Sequence, residues 1–456
     1  MKSQPHIRWL IRSLCAAAGI LVLTIAAAPS ASLILAQGET DPPPNILLIL
    51  TDDQREGLEV MPATRNLFGA QGRTFSNAFA TTPLCCPSRA SILTGSYTHN
   101  HGVRSNGLED WKALDHSTTI ERYLQDAGYR TAMYGKFLNN WPVRRDPPYF
   151  DSWAVIPKVF GRRAYYDSEW NVNGRVKRVS TYATQFIESK GLRFLQTSES
   201  NDSQPWFLFL STTAPHAEFT PEPIYENATV PKWNGNPAVS ESDRSDKPAY
   251  VRAFDETYKE GAAARRGQLR TLMSVDDLVE AVMGELDRLG EENTLAIFLS
   301  DNGYFWSEHK LPAKGAPYLQ SVRVPMLLRW EGQIEANSVD ERLVANIDVA
   351  PTILSAAGIP FGGDGGNLLD NSWSRDRLLL EYWIDPYSPT IPRWASTVER
   401  SAQYIEYYNG DGDVIFREFY DLGADPWQLQ NLRTPPDPSW ADRLREDRRC
   451  AGASCP

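Results

Sequence analysis

Asn45-Ile-Leu-Leu-Ile-Leu50 runs without a polar break into Thr51-Asp52-Asp53. A strand with one wet face alternates apolar and polar residues. A continuous aliphatic run bounded by prolines before and acids after is what a parallel strand buried on both faces requires. The acidic pair falls at the carboxyl end of that strand, where open α/β sheets carry their sites.

Three more runs of this kind lie further along: Trp206–Leu210, Leu295–Leu299 and Pro325–Arg329. The first leads to Ala214-Pro215-His216 and the second to Asp301-Asn302-Gly303. Between them, Thr119–Ala127 and Val275–Leu289 carry helical periodicity; in the latter, Leu278, Val282 and Leu286 share a face with Val279 and Met283. Strand alternating with helix predicts an α/β fold with a largely parallel sheet. After Gly358 the composition changes. Gly362–Gly366 reads as a connector, and Gln403–Tyr408 and Val414–Tyr420 flank Asn409-Gly-Asp-Gly-Asp413, a hairpin signal. The expected division is a catalytic α/β domain over 45–360 and a C-terminal α+β subdomain over 361–456, with no internal repeats.

The 456 residues suffice for a large domain plus a smaller one, and 42% hydrophobic residues indicate a packed globular chain. A formal net charge of -11 argues against nucleic acid or an anionic membrane surface as the main partner. Lys2, Arg8 and Arg12 precede an apolar run from Leu14 to Ala28 and small residues to about Ala36. Residues 1–36 therefore read as an export signal, with 37–44 as linker. An uncleaved membrane anchor is the alternative, since Leu33-Ile34-Leu35 prolong the apolar character. Either way the catalytic part is expected outside the cytoplasm: secreted, periplasmic, cell-surface, or lysosomal in a eukaryote. Sequons at Asn201 and Asn227 matter only in a eukaryote. Of the five cysteines, Cys15 is in the leader, and Cys450 and Cys455 are spaced for a small disulfide loop or stand as two free thiols. Cys85 and Cys86 are left without obvious partners.

Oxygen donors at two strand ends, Asp52, Asp53, Asp301 and Asn302, suit a hard divalent cation such as calcium. Helix capping and turn chemistry is the plainer reading of each pair alone. The informative segment is Leu84-Cys85-Cys86-Pro87-Ser88-Arg89-Ala90-Ser91-Ile92-Leu93-Thr94-Gly95. It resembles the sulfatase signature, Cys-x-Pro-Ser-Arg followed by Leu-Thr-Gly, with Cys85 in the convertible position and Cys86 as the wildcard. A buried cysteine at a helix start, with proline in the first turn, is the bland alternative. The resemblance extends over nearly all of the chain past the leader. It takes in Asp52-Asp53, Gly128-Tyr-Arg-Thr131 with Gly135-Lys136, Ala214-Pro-His216, Asp301-Asn-Gly303, Glu308-His309 with Lys314, Ser321–Pro325, Asp348–Thr352 and Tyr420–Pro426.

That resemblance implies an alkaline-phosphatase-like α/β/α sandwich with a small C-terminal antiparallel β subdomain. It implies Cys85 oxidised to formylglycine by a formylglycine-generating enzyme, and one Ca2+ held by Asp52, Asp53, Asp301, Asn302 and the modified Cys85. Lys136 and Lys314 would hold sulfate oxygens, Arg89 would keep the nucleophile ionised, and His216 with Lys314 would protonate the leaving alcohol. The substrate would be a sulfated carbohydrate or an aryl sulfate. Many sulfatases carry histidine two residues after the signature lysine, where this chain has Leu138. That departure, the Cys85-Cys86 start and His99-Asn100-His101 are more similar to the N-acetylglucosamine-6-sulfatase and heparan endosulfatase branch. His101 is then expected as the base that finishes the cycle, with a helix-end or core histidine as the plainer alternative. A phosphonate or phosphate ester hydrolase of the same fold is an alternative. So is a sulfated-glycan binding protein that never receives the modification. Trp141, Trp170, Trp306, Trp383 and Trp394 are candidates for stacking on sugars, although in a chain with 14 tryptophans most are expected in the core, and 141–180 and 361–400 are candidates for specificity loops.

Overall fold

In the computed structural model, residues 42–157, 161–200, 203–435 and 437–456 are described; the leader and the Asn201 sequon lie outside them. Strand β1, Asn45–Thr51, runs through the middle of a ten-stranded sheet. The others are β2 Arg73–Phe79, β3 Arg130–Lys136, β4 Ser152–Ile156, β5 Ser168–Val172, β6 Arg175–Val179, β7 Trp206–Ser211, β8 Thr294–Ser300, β9 Met326–Arg329 and β10 Ser338–Ala345. Their order is β10-β2-β9-β8-β1-β7-β3-β4-β5-β6. The run β8-β1-β7-β3-β4 is parallel throughout.

Alternate residues of these strands feed two cores. Ile46, Leu48, Leu50, Phe207, Phe209, Ile297 and Leu299 face helices Cys85–Thr94, Ile120–Asp126 and Val349–Ala356. Leu47, Ile49, Leu208, Leu210, Ala296 and Phe298 face helices Ala183–Glu199 and Tyr258–Leu289. Helices on both faces explain why these strands read as unbroken apolar runs. The result is the α/β/α layering expected from sequence.

Two elements differ from expectation. The Val275–Leu289 pattern is the second half of a 32-residue helix that begins at Tyr258 with a Thr257–Glu260 capping box. The Pro325–Arg329 run forms β9, which is antiparallel to both β2 and β8. The chain leaving β8 loops at the carboxyl rim and turns straight back, without the crossover that a parallel neighbour needs.

A separate four-stranded antiparallel sheet follows, in the order β11 Leu378–Tyr382, β12 Arg393–Val398, β13 Ala402–Tyr408, β14 Val414–Asp421. Its own core includes Leu380, Trp394, Tyr407, Tyr420 and Trp440, the last from helix Ser439–Asp447. Cys450 and Cys455 form a disulfide. The carbonyl of Cys450 accepts hydrogen bonds from His99 Nε2 at 2.9 Å and Asn100 Nδ2 at 3.0 Å, tying the C-terminal segment to the loop beyond helix Cys85–Thr94. Residues 43–456 form one compact unit. No helix among the described residues is long and apolar enough to cross a membrane.

Candidate active site

Strand order decides the site. β8, β1, β7 and β3 are neighbours, with Thr51 opposite Ser300, Leu50 opposite Ser211 and Gly135 opposite Ser211. Their carboxyl ends therefore present Asp301-Asn302, Asp52-Asp53, the His216 loop and Lys136 along one rim. Gly135 is required here: its φ is +120°, and a Cβ would lie 1.8 Å from the Ser211 carbonyl oxygen. Helix Cys85–Thr94 aims its N-terminus, the positive end of its dipole, at this rim.

Cys85 Sγ lies 3.3 Å from Asp52 Oδ1 and 2.8 Å from Lys314 Nζ. Lys314 also donates to Asp53 Oδ1, and to Asn302 Oδ1 at 3.2 Å. Asn302 Nδ2 donates to Asp53 Oδ1 at 2.7 Å, and the Asp53 N–H to Asp301 Oδ1 at 3.1 Å. Lys136 donates to Asp52 Oδ2. Arg89, one turn into the helix, donates from Nε to Asp301 Oδ2 at 2.8 Å and from Nη1 to the Lys136 carbonyl and Ser211 Oγ at 2.6 and 2.7 Å. Its Nη2 is buried, has no hydrogen-bond partner among the described residues, and lies 3.9 Å from Asp52 Oδ2. His216 donates from Nδ1 to the Ala217 carbonyl at 2.6 Å and turns Nε2 toward Asp53 Oδ2 at 3.8 Å. With 24% of its side chain exposed, against 2% for Asp53, His216 stands at the mouth.

Burial would raise the Asp52 carboxyl, but Lys136, then His216, Arg89 and Lys314, outweigh it and hold the group below the ordinary carboxylate range. Burial, then the Asp52 charge, pushes the Cys85 thiol up to about 12. At neutral pH the encoded cysteine is a neutral thiol, a poor nucleophile.

The structure thus brings together Asp52, Asp53, Cys85, Arg89, Lys136, His216, Asp301, Asn302 and Lys314. It does not bring His101 with them. His101 Nδ1 accepts from the Val103 N–H at 3.1 Å, so the proton sits on Nε2, which donates to Ser91 Oγ at 3.1 Å. Burial, then His99, lowers its pKa to about 3. A ring with both nitrogens engaged on its own helix–loop junction is a structural group, not a base for the cycle. His99 bridges Glu381, at 2.9 Å, to Cys450. Four of the five tryptophans follow the core reading: Trp141, Trp170, Trp306 and Trp394 are 1% exposed. Three of them spend their indole N–H inside the protein, Trp141 on the Arg145 carbonyl at 2.9 Å, Trp306 on Gln268 Oε1 at 2.6 Å and Trp394 on the Gly315 carbonyl at 2.8 Å. Trp383 is half-buried, between the guanidiniums of Arg104 and Arg393 at 4.1 and 3.7 Å.

Sequence reasoning missed the residues that hold the site from behind. Gln268 donates to the Asp53 carbonyl at 3.0 Å, from the long helix. Asn346 donates to Ser88 Oγ at 2.8 Å, and Ser88 donates to the Asp301 carbonyl. Asn106 Oδ1 accepts from the Cys86 N–H at 3.0 Å. The only sequence signal for any of them is a polar residue next to an apolar element.

The sulfatase family model matches residues 44–359, and the C-terminal model of N-sulphoglucosamine sulphohydrolase matches 307–440. The chain belongs to the sulfatase family. It is a sulfuric ester hydrolase. Human N-acetylglucosamine-6-sulfatase is 32% identical to this sulfatase over 90% of the chain and 86% of its own length. A Drosophila melanogaster extracellular sulfatase SULF-1 homolog is 35% identical over 79% of the chain and 34% of its own length. A solved structure of a protein in complex with its substrate D-glucosamine-2-N,6-O-disulfate superposes with TM-score 0.74 at 24% identity, covering 88% of this sulfatase and 95% of that protein. The phosphonate monoester hydrolase of Agrobacterium radiobacter superposes at 0.69 and 22% identity, covering 88% and 93%. At such identities these two structures speak to the fold.

Proposed function

We propose that this sulfatase hydrolyses the 6-O-sulfate ester of a glucosamine residue in a sulfated glycan. Cys85 is matured to formylglycine, and one calcium ion binds at the oxygens of Asp52, Asp53, Asp301 and Asn302. The observation that carries the chemistry is the convergence of Cys85, Asp52 and Lys314 at the buried N-terminus of helix Cys85–Thr94. The sugar rests on similarity to proteins named N-acetylglucosamine-6-sulfatase over 90% of the chain.

The residues fit both groups. Asp52, Asp53, Cys85 and His216 bring ligand atoms within 4.8 Å of one another, and the added Asp301 and Asn302 oxygens are the hard donors calcium takes. The orphaned Arg89 Nη2 is a buried donor aimed at the same place, which an oxygen on residue 85 would satisfy. When present, the hydrated aldehyde and the calcium supply an acidified hydroxyl to attack sulfur and a second hydroxyl through which sulfate is expelled.

The chain's own residues do the rest. Lys136 and Lys314 place point charges where sulfuryl oxygens gain charge in the transition state. Arg89 fixes Asp301 and the Lys136 carbonyl together, so it sets the spacing of ligand and cation. His216, at the mouth with its Nδ1–H committed to a carbonyl, turns Nε2 to the site; as the imidazolium it carries there the proton given to the departing alcohol, leaving the neutral ring with its proton on Nδ1. Export through the 1–36 leader, maturation by a formylglycine-generating enzyme and a domain division near residue 360 belong to the same proposal.

The test is mass spectrometry of the tryptic peptide Thr74–Arg89 after coexpression with a formylglycine-generating enzyme, followed by sulfate release from N-acetylglucosamine 6-sulfate. An aldehyde at Cys85 with turnover at the 6-position is expected. An unmodified peptide under an active generating enzyme overturns the nucleophile. Faster cleavage of a phosphonate ester than of any sulfate ester overturns the substrate.

A further inference from the structure

Away from the rim, a groove of about 650 Å3 lies between helix Ala183–Glu199 and the margin of the sheet. Arg130, Arg175, Lys177, Lys190 and Arg193 line it, with Asp151 as the one carboxylate. Asp151 is already committed, accepting from the Thr131 N–H at 2.9 Å and from Gln125 Nε2 at 3.0 Å. None of the five cations makes an ion pair among the described residues. Partial burial, then Lys177 and Arg193, lowers the Lys190 pKa, so these charges repel one another across the groove. In a chain of net charge -11, five converging unpaired cations are the opposite of what average composition would place there.

Half-buried Trp153 lines the same space, beside the buried core rings of Tyr134 and Phe194. An accessible aromatic side chain among unpaired cations suits a ligand with apolar ring faces and fixed negative charges, which describes a sulfated sugar chain better than a bare ion. Arg175 and Lys177 are two apart on edge strand β6, so their side chains leave the same face about 7 Å apart. Lys190 and Arg193 are one helical turn apart on the facing helix. Together they make two charged rails. Arg130 opens β3 about 20 Å before Lys136 closes it, and none of the residues lining the groove belongs to the rim cluster of Asp52, Asp53, Cys85, Lys136, His216 and Lys314. The groove is therefore not part of the pocket that holds the reacting ester.

We propose that this groove is a second binding site for the sulfated glycan chain, one that holds the polymer at a distance from the ester being cleaved. The proposal rests on the reading of the substrate as a sulfated glycan. It predicts that the groove acts on KM for long substrates and leaves the chemistry alone.

The test uses the full-length matured enzyme and heparin oligosaccharides as the probe. A quadruple variant, Arg175→Gln, Lys177→Gln, Lys190→Gln and Arg193→Gln, removes the rails. A control variant neutralises four cations outside the groove, Arg65, Arg400, Arg445 and Arg449, for the same change in net charge. Expected for the quadruple variant is at least a tenfold rise in Kd for heparin and a flatter dependence of binding on salt, by counterion release. Its melting temperature and its kcat/KM on a small aryl sulfate should stay at wild-type values. A Kd within twofold of wild type, or an equal loss in the control variant, overturns the groove. Binding is measured without turnover, so failure of the 6-O-sulfatase reading and failure of the groove are separate results.

Discussion

The rim of the large sheet and the interior of the small one both bury carboxylates, and they treat them in opposite ways. At the rim, Asp52 is fully buried yet held ionised, because Lys136, His216, Arg89 and Lys314 surround it. In the four-stranded sheet, Glu418 is equally buried, but its contacts are the hydroxyls of Tyr407 at 2.5 Å, Tyr420 at 2.7 Å and Tyr318 at 3.1 Å. Burial raises it to about 7 despite those bonds and Lys247. Burial alone does not set the charge of a carboxyl; the sign of what it faces does. The rim is a place built to keep anions and cations together, and the small sheet is a place where a hydrogen-bonded network does with as little charge as it can.

The largest effect that would break this contrast is at Cys85. Cys85→Ala should lower kcat on the order of 10^4-fold or more while leaving the melting temperature near wild type; a modest loss in steady-state assays would remove the nucleophile from the rim. Next is Lys136→Met. It should cost roughly 10^2- to 10^3-fold in kcat/KM, the scale of one preorganised charge, and retention of activity would mean that Lys136 serves only to pair Asp52. Third, stripping the enzyme with a chelator should abolish turnover and lower the melting temperature, with calcium restoring both. A metal in hundredfold excess over its Kd stabilises by about 2.7 kcal/mol. Unchanged calorimetric melting after chelation would contradict a metal at the rim.

A fourth measurement sharpens the other half of the comparison. Glu418 has an ordinary pKa of 4.5 and a folded value of about 7, so the folded state binds the proton more tightly. Its contribution to stability is complete below pH 4.5 and is lost as pH rises through about 7. A shift of that size corresponds to about 3 kcal/mol. Glu418→Gln should therefore flatten the fall in melting temperature between those pH values. A variant whose profile still parallels wild type would show that Glu418 is not the titrating group. The smallest effect is expected at His101. His101→Ala should leave kcat within about threefold and destabilise by about 1 kcal/mol, the scale of its two hydrogen bonds. A large loss of turnover with intact stability would restore His101 as a base.

Much of the fold was legible because the strands are buried on both faces. β1, β7 and β8 read as unbroken apolar runs, and their boundaries match the runs to within a residue or two. Strand direction at the sheet margin was not legible: β9 is an apolar run like the parallel strands, and only the missing crossover turns it around. In the site, Asp52, Asp53, Asp301 and Asn302 were legible because each sits just after an apolar run, whereas Lys136 and Lys314 were legible only through the resemblance. His101 was not, because a three-residue motif does not say where an imidazole points. Which tryptophans are core was not legible one by one, because an indole has the same composition in a core as on a surface; Trp141, Trp170, Trp306 and Trp394 fall to the core reading.

The alternation of buried strands and helices and the positions of the strand ends were settled by the sequence, since these follow from local periodicity, whereas the Cys85–Arg89 segment was read through its resemblance to the sulfatase signature. Tertiary structure alone decided that β8, β1, β7 and β3 are adjacent, which is what turns residues hundreds of positions apart into one cluster. It also decided the hydrogen bonds from Gln268, Asn346 and Asn106 that brace that cluster, and the groove that gathers five unpaired cations. Hydrogen bonds and Coulomb interactions depend on distance in space, and a linear chain records only distance along itself.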